Sequence, residues 1–274
     1  MSNLKPCIIC KGETVYFFTK NHQQEFKNLL PKSEFHECTN CGFVISQTIR
    51  DMPEENWNKL NVDFHHLLES GDFKENINQP PYLEQSTMLN VLIRSDLISD
   101  KMLDYAGGYG TLSKIMYKYN NITIPVFDPY VIDNNSSVTY LNQSDLDDKK
   151  FDVVINSALF EHIRSIGDLD KIDDLVSNDG TLIIHTVVCE KIPNNPDWFY
   201  VTPPVHSALH TNKSMNILME RWGYKSSIYC PSSKFWVLFK NKLTKNQIEK
   251  INKINSLIQT KYLHYKDGFM DYWK

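Results

Sequence analysis

Four cysteines fall into two pairs, Cys7-Ile-Ile-Cys10 and Cys38-Thr-Asn-Cys41, with 27 residues between the pairs. Each C-x-x-C pair can present two thiolates from one tight turn, so the four together form a tetrahedral set suited to Zn²⁺. A redox dithiol or two unrelated pairs would carry the same letters, but two paired sites favour the metal. Lys11-Gly12 and Gly42 follow the pairs, where a chain turning around an ion needs a permissive backbone. With four thiolates and no open position, the expected zinc is structural. Cys189 and Cys230 lie within or beside apolar strand signals and read as small hydrophobes.

A different chemistry is written at Met102-Leu103-Asp104-Tyr105-Ala106-Gly107-Gly108-Tyr109-Gly110, a strand signal running into a glycine-rich turn and then into the helical TLSKIMYKY. Small residues there let the backbone approach a ligand at the carboxyl edge of a sheet, where open α/β folds bind. Asp128 closes the next strand signal 20 residues after Gly108, the spacing at which a carboxylate accepts both hydrogen bonds of a ribose diol. A nicotinamide site would use the same place with G-x-G-x-x-G, whereas this turn reads A-G-G-Y-G.

The elements that must position these groups follow from periodicity. YLEQSTMLNVLIRSDLI places Leu83, Met88, Leu89, Leu92 and Ile93 on one helical face. Apolar runs at 101–105, 122–127, 151–156, 181–188 and 232–240 alternate with segments long enough for helices, which predicts an α/β fold with a doubly wound, mainly parallel sheet. Residues 1–50 carry the cysteines as a small zinc-binding module. Residues 51–80, punctuated by Pro53, Gly71 and Pro80-Pro81, read as a connector of a short helix and a loop. The α/β domain is then 81–242, and 243–274 is an amphipathic helix through Ile248, Ile251, Ile254 and Ile258, whose stripe suits the core or a second copy of the chain.

Over residues 100–190 the chain resembles the class I S-adenosylmethionine-dependent methyltransferases, with their D-x-G-x-G-x-G turn and acid-terminated second strand. Ala106 stands in place of the first glycine. FDVVINSALFEHI (151–163) is similar to that superfamily's fourth strand and following helix, and LVSNDGTLIIHT (175–186) to its fifth-strand approach. The resemblance implies that S-adenosyl-L-methionine is the cofactor, that Asp104 orders the loop, that Ala106 and Gly107 belong to the cofactor-binding turn, and that Gly108 and Gly110 line the methionine and ribose. It also implies that Asp128 holds the ribose hydroxyls and that Asp145, in NQSDLDD, meets the adenine amine. A solvated acidic loop explains Asp145 equally well.

Methyl transfer is an in-line displacement at an activated carbon, so the protein must align the acceptor and take its proton. In DWFYVTPPVHSALHTNKSMNILMERWGY (197–224), His206 and His210 flank a loop before a helix that Thr211 or Asn212 can cap. This arrangement resembles nucleotide-sugar methyltransferases with an N-terminal zinc-binding region, and His206 matches their active-site histidine. A structural histidine is the plain alternative at each position. His162, in Glu161-His162, is a further candidate for catalysis or acceptor positioning, and His65-His66 in the connector can reach the acceptor, although a solvated helix face is the plainer reading. An acting His206 would give activity rising with pH through its ordinary value near 6.5. Val205 precedes His206 where the sugar C-methyltransferases usually carry a glutamate, so the expected reaction is O-methylation of a sugar hydroxyl, on a nucleotide-linked sugar for surface polysaccharide of the capsule type. The alternatives are sugar C-methylation, ribosomal RNA methylation with a zinc module, and a silent subunit that retains the fold.

Charge and composition weigh against the RNA reading. Lys and Arg total 29 against 33 Asp and Glu, a formal charge of −4, so no global basic field draws the chain to nucleic acid. The N-terminus lacks the apolar run of a signal peptide, and no window is apolar enough for a membrane span. A cytoplasmic enzyme is expected, with its cysteines as ligands and core rather than disulfides.

Overall fold

The computed structural model describes residues 5–22, 26–70, 79–131 and 137–271. The elements run β1 (Thr14–Asn21), β2 (Lys32–Cys38), β3 (Val44–Ser46), α1 (Gln47–Arg50), α2 (Glu54–Ser70), α3 (Tyr82–Arg94), β4 (Met102–Tyr105), α4 (Thr111–Asn120), β5 (Val126–Phe127), α5 (Gln143–Leu146), β6 (Phe151–Ser157), α6 (Ile166–Asp173), β7 (Val176–His185), β8 (Val188–Cys189), β9 (Ala208–Thr211), α7 (Asn212–Trp222), β10 (Ser226–Cys230), β11 (Phe235–Phe239), α8 (Lys245–Ile258) and β12 (His264–Asp267).

Alternating side chains of the central strands divide the interior into two cores. Val153, Ile155, Ile183 and Val237 point to a layer built by Met88, Leu89 and Leu92 of α3, Leu112 and Met116 of α4, and Ile251 and Ile254 of α8. Val154, Leu182, Ile184 and Leu238 point the other way, onto Leu169 and Ile172 of α6 and Met215 and Leu218 of α7. Strands buried on both faces read as continuous apolar runs, which is why they were visible in the sequence. Each fully buried Leu or Ile contributes roughly 1.5–3 kcal/mol relative to exposure. Leu83, expected on the apolar face of α3, is 57% exposed, because the buried face of that helix turns through Gln85 and Ser86 instead.

The large sheet has the order β12-β10-β11-β7-β6-β4-β5 among the described residues. β5, β4, β6 and β7 are parallel, whereas β11, β10 and β12 are joined antiparallel, so the sheet is mixed rather than mainly parallel. The reason is local: a turn at 231–234 returns β10 directly onto β11, a hairpin that needs no helical crossover. The 122–127 run supplies only Val126 and Phe127 to the sheet, since Pro125 has no N–H to donate. Beyond α8 the tail adds β12 to the sheet edge, an element with no clear apolar alternation.

A second sheet, β1-β2-β3-β9-β8, joins the cysteine-bearing segment to strands that follow β7. Val44 and Ile45 pair with Leu209 and Ala208, and the Ser46 N–H donates to Ser207 O at 2.7 Å. The N-terminal region is thus built into the same sheet as the His206–His210 segment. The connector forms the 17-residue α2, longer than the short helix expected, and its loop half at 71–78 lies outside the described residues. Trp57, Leu60 and Phe64 of α2 pack on Ile49 and Val205, and Arg164 fixes its start through Nε to Ile49 O (3.0 Å) and Nη1 to Glu54 (2.7 Å).

Candidate active site and cysteine cluster

The glycine turn leaves β4 at the carboxyl edge of the sheet. Asp104 is buried, its Oδ2 accepting from Ser113 Oγ at 3.3 Å while Oδ1 has no partner. Burial pushes this carboxyl up to about 7. Ala106 and Gly108 adopt positive φ, 59° and 54°. Gly107 is required for a different reason: a Cβ there would lie 2.7 Å from the Asp104 carboxyl and 3.0 Å from Val126 Cγ1. Gly107→Ala is therefore expected to destabilise the fold by about 1–3 kcal/mol, the scale of overpacking a core, measured by urea unfolding. An unchanged midpoint would mean that Asp104 can move aside.

A cavity of about 350 Å³ opens against this turn, lined by Asp104, Ala106, Gly107, Gly108 and Tyr109. The same cavity is lined by Glu161, His162, His185, Tyr200 and His206, and by Phe64 and His65 of α2. The sequence-predicted residues divide accordingly. His206 and His162 line the cavity. Gly110 caps α4 with φ 67° and lies outside the lining. Asp128 is placed just beside it, its Oδ2 accepting from Gly108 N (2.8 Å) and its Oδ1 from Tyr130 N (2.8 Å) and Val131 N (2.9 Å). Asp145 is held in a capping box, accepting from Asn142 N at 2.8 Å, and does not reach the cavity.

His210 is also turned away from the cavity. Its Nε2 donates to Phe160 O at 2.9 Å and its ring packs between Phe43 and Phe160, with centroids at 5.0 and 5.7 Å. His206 lies in the loop before β9, whereas His210 is a residue of β9 itself, and the two rings enter different surroundings. Burial lowers His210 to about 4. A base whose folded value lies below its unfolded 6.5 keeps stability above pH 6.5 and loses it as pH falls toward 4. His210→Gln should therefore shrink the loss of stability between pH 7 and pH 4 by up to roughly 3 kcal/mol. Urea midpoints of both proteins at the two pH values check this, and identical losses would count against it.

The cluster of Glu161, His162 and His206 is held by main-chain bonds. Ser207 N donates to Glu161 O (2.8 Å) and Ser207 Oγ to Ile163 O (2.6 Å), which fixes the 160–162 turn against the strand that follows His206. His206 Nδ1 donates to Tyr200 O at 2.6 Å, leaving Nε2 with its lone pair, and the His162 and His206 rings are 5.0 Å apart. Burial lowers His206 to about 4, so the activity limb near 6.5 expected of it from sequence does not follow from its surroundings. Burial also drives His162 well down and raises Glu161 to about 7, despite hydrogen bonds from Thr186 and Tyr200 to its carboxyl. One ligating atom from each of Glu161, His162 and His206 lies within 4.8 Å of the others. The carboxylate that sequence spacing denied His206 is thus supplied in space by Glu161. His65 reaches the cavity too, its ring centroid 6.4 Å from that of His162, which favours the less expected of its two readings over a solvated face. His185 and Tyr200 carried no sequence signal beyond their place at the end of a strand and after a long loop.

The four cysteines come together beside the start of α7. Their sulfurs all lie within 4.8 Å of one another, with Cys7–Cys41 at 3.7 Å and Cys10–Cys38 at 3.4 Å. Lys11 N donates to Cys7 O and Gly42 N to Cys38 O, and Lys11 and Gly42 take φ of 62° and 70°, so the permissive residue of the first turn is Lys11 rather than Gly12. Gly12 instead faces the sulfurs, and a Cβ there would meet Cys10 Sγ at 3.2 Å and Cys38 Sγ at 3.3 Å. Such a donor set and its cradle fit a tetrahedral Zn²⁺.

A family model described as "Methyltransferase domain" matches residues 72–226, more than half of the 274-residue chain. The chain belongs to the methyltransferase-domain family. The matched stretch of this methyltransferase holds the glycine turn, Asp128 and the whole Glu161–His162–His206 cluster. No curated protein matches the chain. Among solved structures, human N-acetylserotonin methyltransferase in complex with SAM is 18% identical, with 59% of this chain and 56% of that one covered and a TM-score of 0.42. The plantazolicin methyltransferase BpumL with a pentazolic desmethylPZN analog and SAH is 14% identical, covering 81% and 95%, TM-score 0.45. An O-methyltransferase family protein from Burkholderia thailandensis is 15% identical, covering 70% and 60%, TM-score 0.45. The methyltransferase spans little more than half the length of the human enzyme. Among its described residues no helix is long and apolar enough to cross a membrane.

Proposed function

We propose that this methyltransferase moves the methyl group of S-adenosylmethionine to a hydroxyl of a small acceptor, a nucleotide-linked sugar of surface polysaccharide biosynthesis being the acceptor class. The observation that carries the reading is one cavity lined both by the glycine turn and by an imidazole-carboxylate cluster. Cofactor at the turn and acceptor at the cluster would set the two reactants in line, the arrangement that displacement at the sulfonium methyl needs. The acceptor's proton passes to the cluster, and His206, held in one tautomer by Tyr200 O, presents its Nε2 lone pair there. Glu161 beside it favours sugar C-methylation as a second reading, since a carboxylate near the imidazole stabilises the imidazolium that a harder proton abstraction creates.

Labelled S-adenosylmethionine incubated with a panel of nucleotide-sugars, against total RNA, tests the acceptor, and carbon–hydrogen correlation of the product separates O- from C-methylation. Label entering RNA alone would overturn the sugar reading. Asp128 is proposed to hold the ribose diol with the second lone pairs of its oxygens. Asp128→Ala should weaken cofactor binding by about 2–4 kcal/mol, the scale for losing hydrogen bonds to a charged group. Calorimetry showing unchanged affinity in the folded variant would remove Asp128 from the ribose site. The four cysteines are proposed to hold a structural zinc.

A further inference from the structure

We infer that Glu161, His162 and His206 form a second metal site, binding a divalent first-row transition cation with open positions toward the acceptor end of the cavity. The inference rests on reading that end as the acceptor's place. Three features of the cluster point to a cation rather than to a hydrogen-bonded network.

The donor atoms converge. All three lie within 4.8 Å of one another, and a tetrahedral ion about 2.1 Å from each would separate them by about 3.4 Å, so shifts on the order of 1 Å close the set. The donors are also unanswered. Glu161 Oε2 and His162 Nε2 are buried without a partner, although Glu161 itself is only 1% exposed. His206 has its Nδ1–H committed to Tyr200 O, so Nε2 faces the cluster as an acceptor. Two buried polar atoms without a partner and one imidazole lone pair are brought together here, and a cation would satisfy all three at once.

The surroundings are those of a held ligand set. A carbonyl fixes the tautomer of His206, and hydroxyls of Thr186 and Tyr200 hold the other side of the Glu161 carboxyl. Tyr200 is itself fixed, accepting from Val187 N at 3.0 Å. Such outer contacts orient ligands in metal sites. Two imidazoles and one carboxylate select zinc, cobalt, iron(II) or manganese over calcium, which prefers an all-oxygen cage. All three ligands line the cavity, so the remaining positions are open to a bound hydroxyl, as in catalytic rather than structural sites.

When the ion is bound, His206 Nε2 is a ligand and the proton-accepting role proposed for it falls to solvent: the acceptor oxygen would join the ion, which would lower the hydroxyl's pKa so that its proton leaves to solvent. The alkoxide then forms the new O–C bond as the sulfonium C–S bond breaks, its electron pair returning to sulfur as a neutral thioether.

The test is Co²⁺ titration of zinc-replete protein followed by calorimetry and metal analysis, on wild type, Glu161→Gln and His206→Gln, each shown folded by unchanged S-adenosylmethionine affinity. Wild type should take a second ion per chain beyond the cysteine-bound zinc, with binding at least about 100-fold weaker in both variants, since loss of a direct ligand should exceed the 10–100-fold cost of losing an outer-shell partner. Anomalous scattering from Co²⁺-soaked crystals should place a peak among the three side chains. Equal Co²⁺ binding by wild type and both variants, or a wild type holding one ion only, would overturn the site. Should either variant fail to fold, the anomalous peak decides. Cobalt bound among these residues with no transfer to any hydroxyl acceptor would instead sink the proposed function and leave the metal site standing.

Discussion

Cys7→Ser, Cys10→Ser protein is expected to lose its zinc and most of its folded stability together. Apparent binding free energies of about 10–16 kcal/mol for thiolate zinc match or exceed the roughly 5–15 kcal/mol that separates a folded domain from its unfolded chain. The loss should not stay local. Thr211 Oγ1 donates to Cys41 O at 2.6 Å, and Lys213 Nζ donates to Asn40 Oδ1 at 3.0 Å, so the second cysteine turn is bonded to the start of α7. Phe43, two residues beyond Cys41, packs on His210 of β9. Unfolding of the cysteine turns therefore releases the segment that positions His206. Metal analysis should show about one zinc fewer per chain, and hydrogen exchange should rise across 206–214 as well as at the cysteine turns. Zinc content equal to wild type would refute the assignment of these ligands.

What the sequence disclosed and what it hid follow one physical line. Strands β4, β6 and β7 are buried on both faces and appear as apolar runs, while β1, β2 and β12 carry exposed polar positions and pair through the backbone, which leaves little trace in side-chain type. The cysteine cluster and the glycine turn were legible because each depends on local spacing. The acceptor cluster was only half legible, since Glu161 and His206 are brought together by Ser207 bonding to Glu161 O and Ile163 O across 44 to 46 positions of chain. No spacing rule reports such a meeting. His210 misled for the complementary reason: four residues from His206 in a loop reads as neighbouring, yet its Nε2 is taken by Phe160 O.

The second large effect concerns that cluster. His206→Ala and Glu161→Gln should each lower turnover by about 10²–10⁴-fold, the range over which a positioned proton-accepting group contributes, while cofactor affinity stays nearly unchanged because the glycine turn and Asp128 are untouched. The two effects should not add. Both residues serve one cluster whose ligating atoms lie within 4.8 Å, and members of such a unit lose most of its function when either is removed. The double variant is therefore expected to be little slower than the worse single one. His210→Gln serves as the contrast, a neighbour in sequence whose ring faces Phe43 and Phe160 rather than the acceptor, and it should retain turnover within about 10-fold while changing acid stability. Single-turnover rates on the best acceptor, with cofactor affinity measured for each variant, decide the matter. Wild-type turnover in His206→Ala would take the proton away from this cluster altogether, and strict additivity in the double variant would mean that Glu161 and His206 act on different steps.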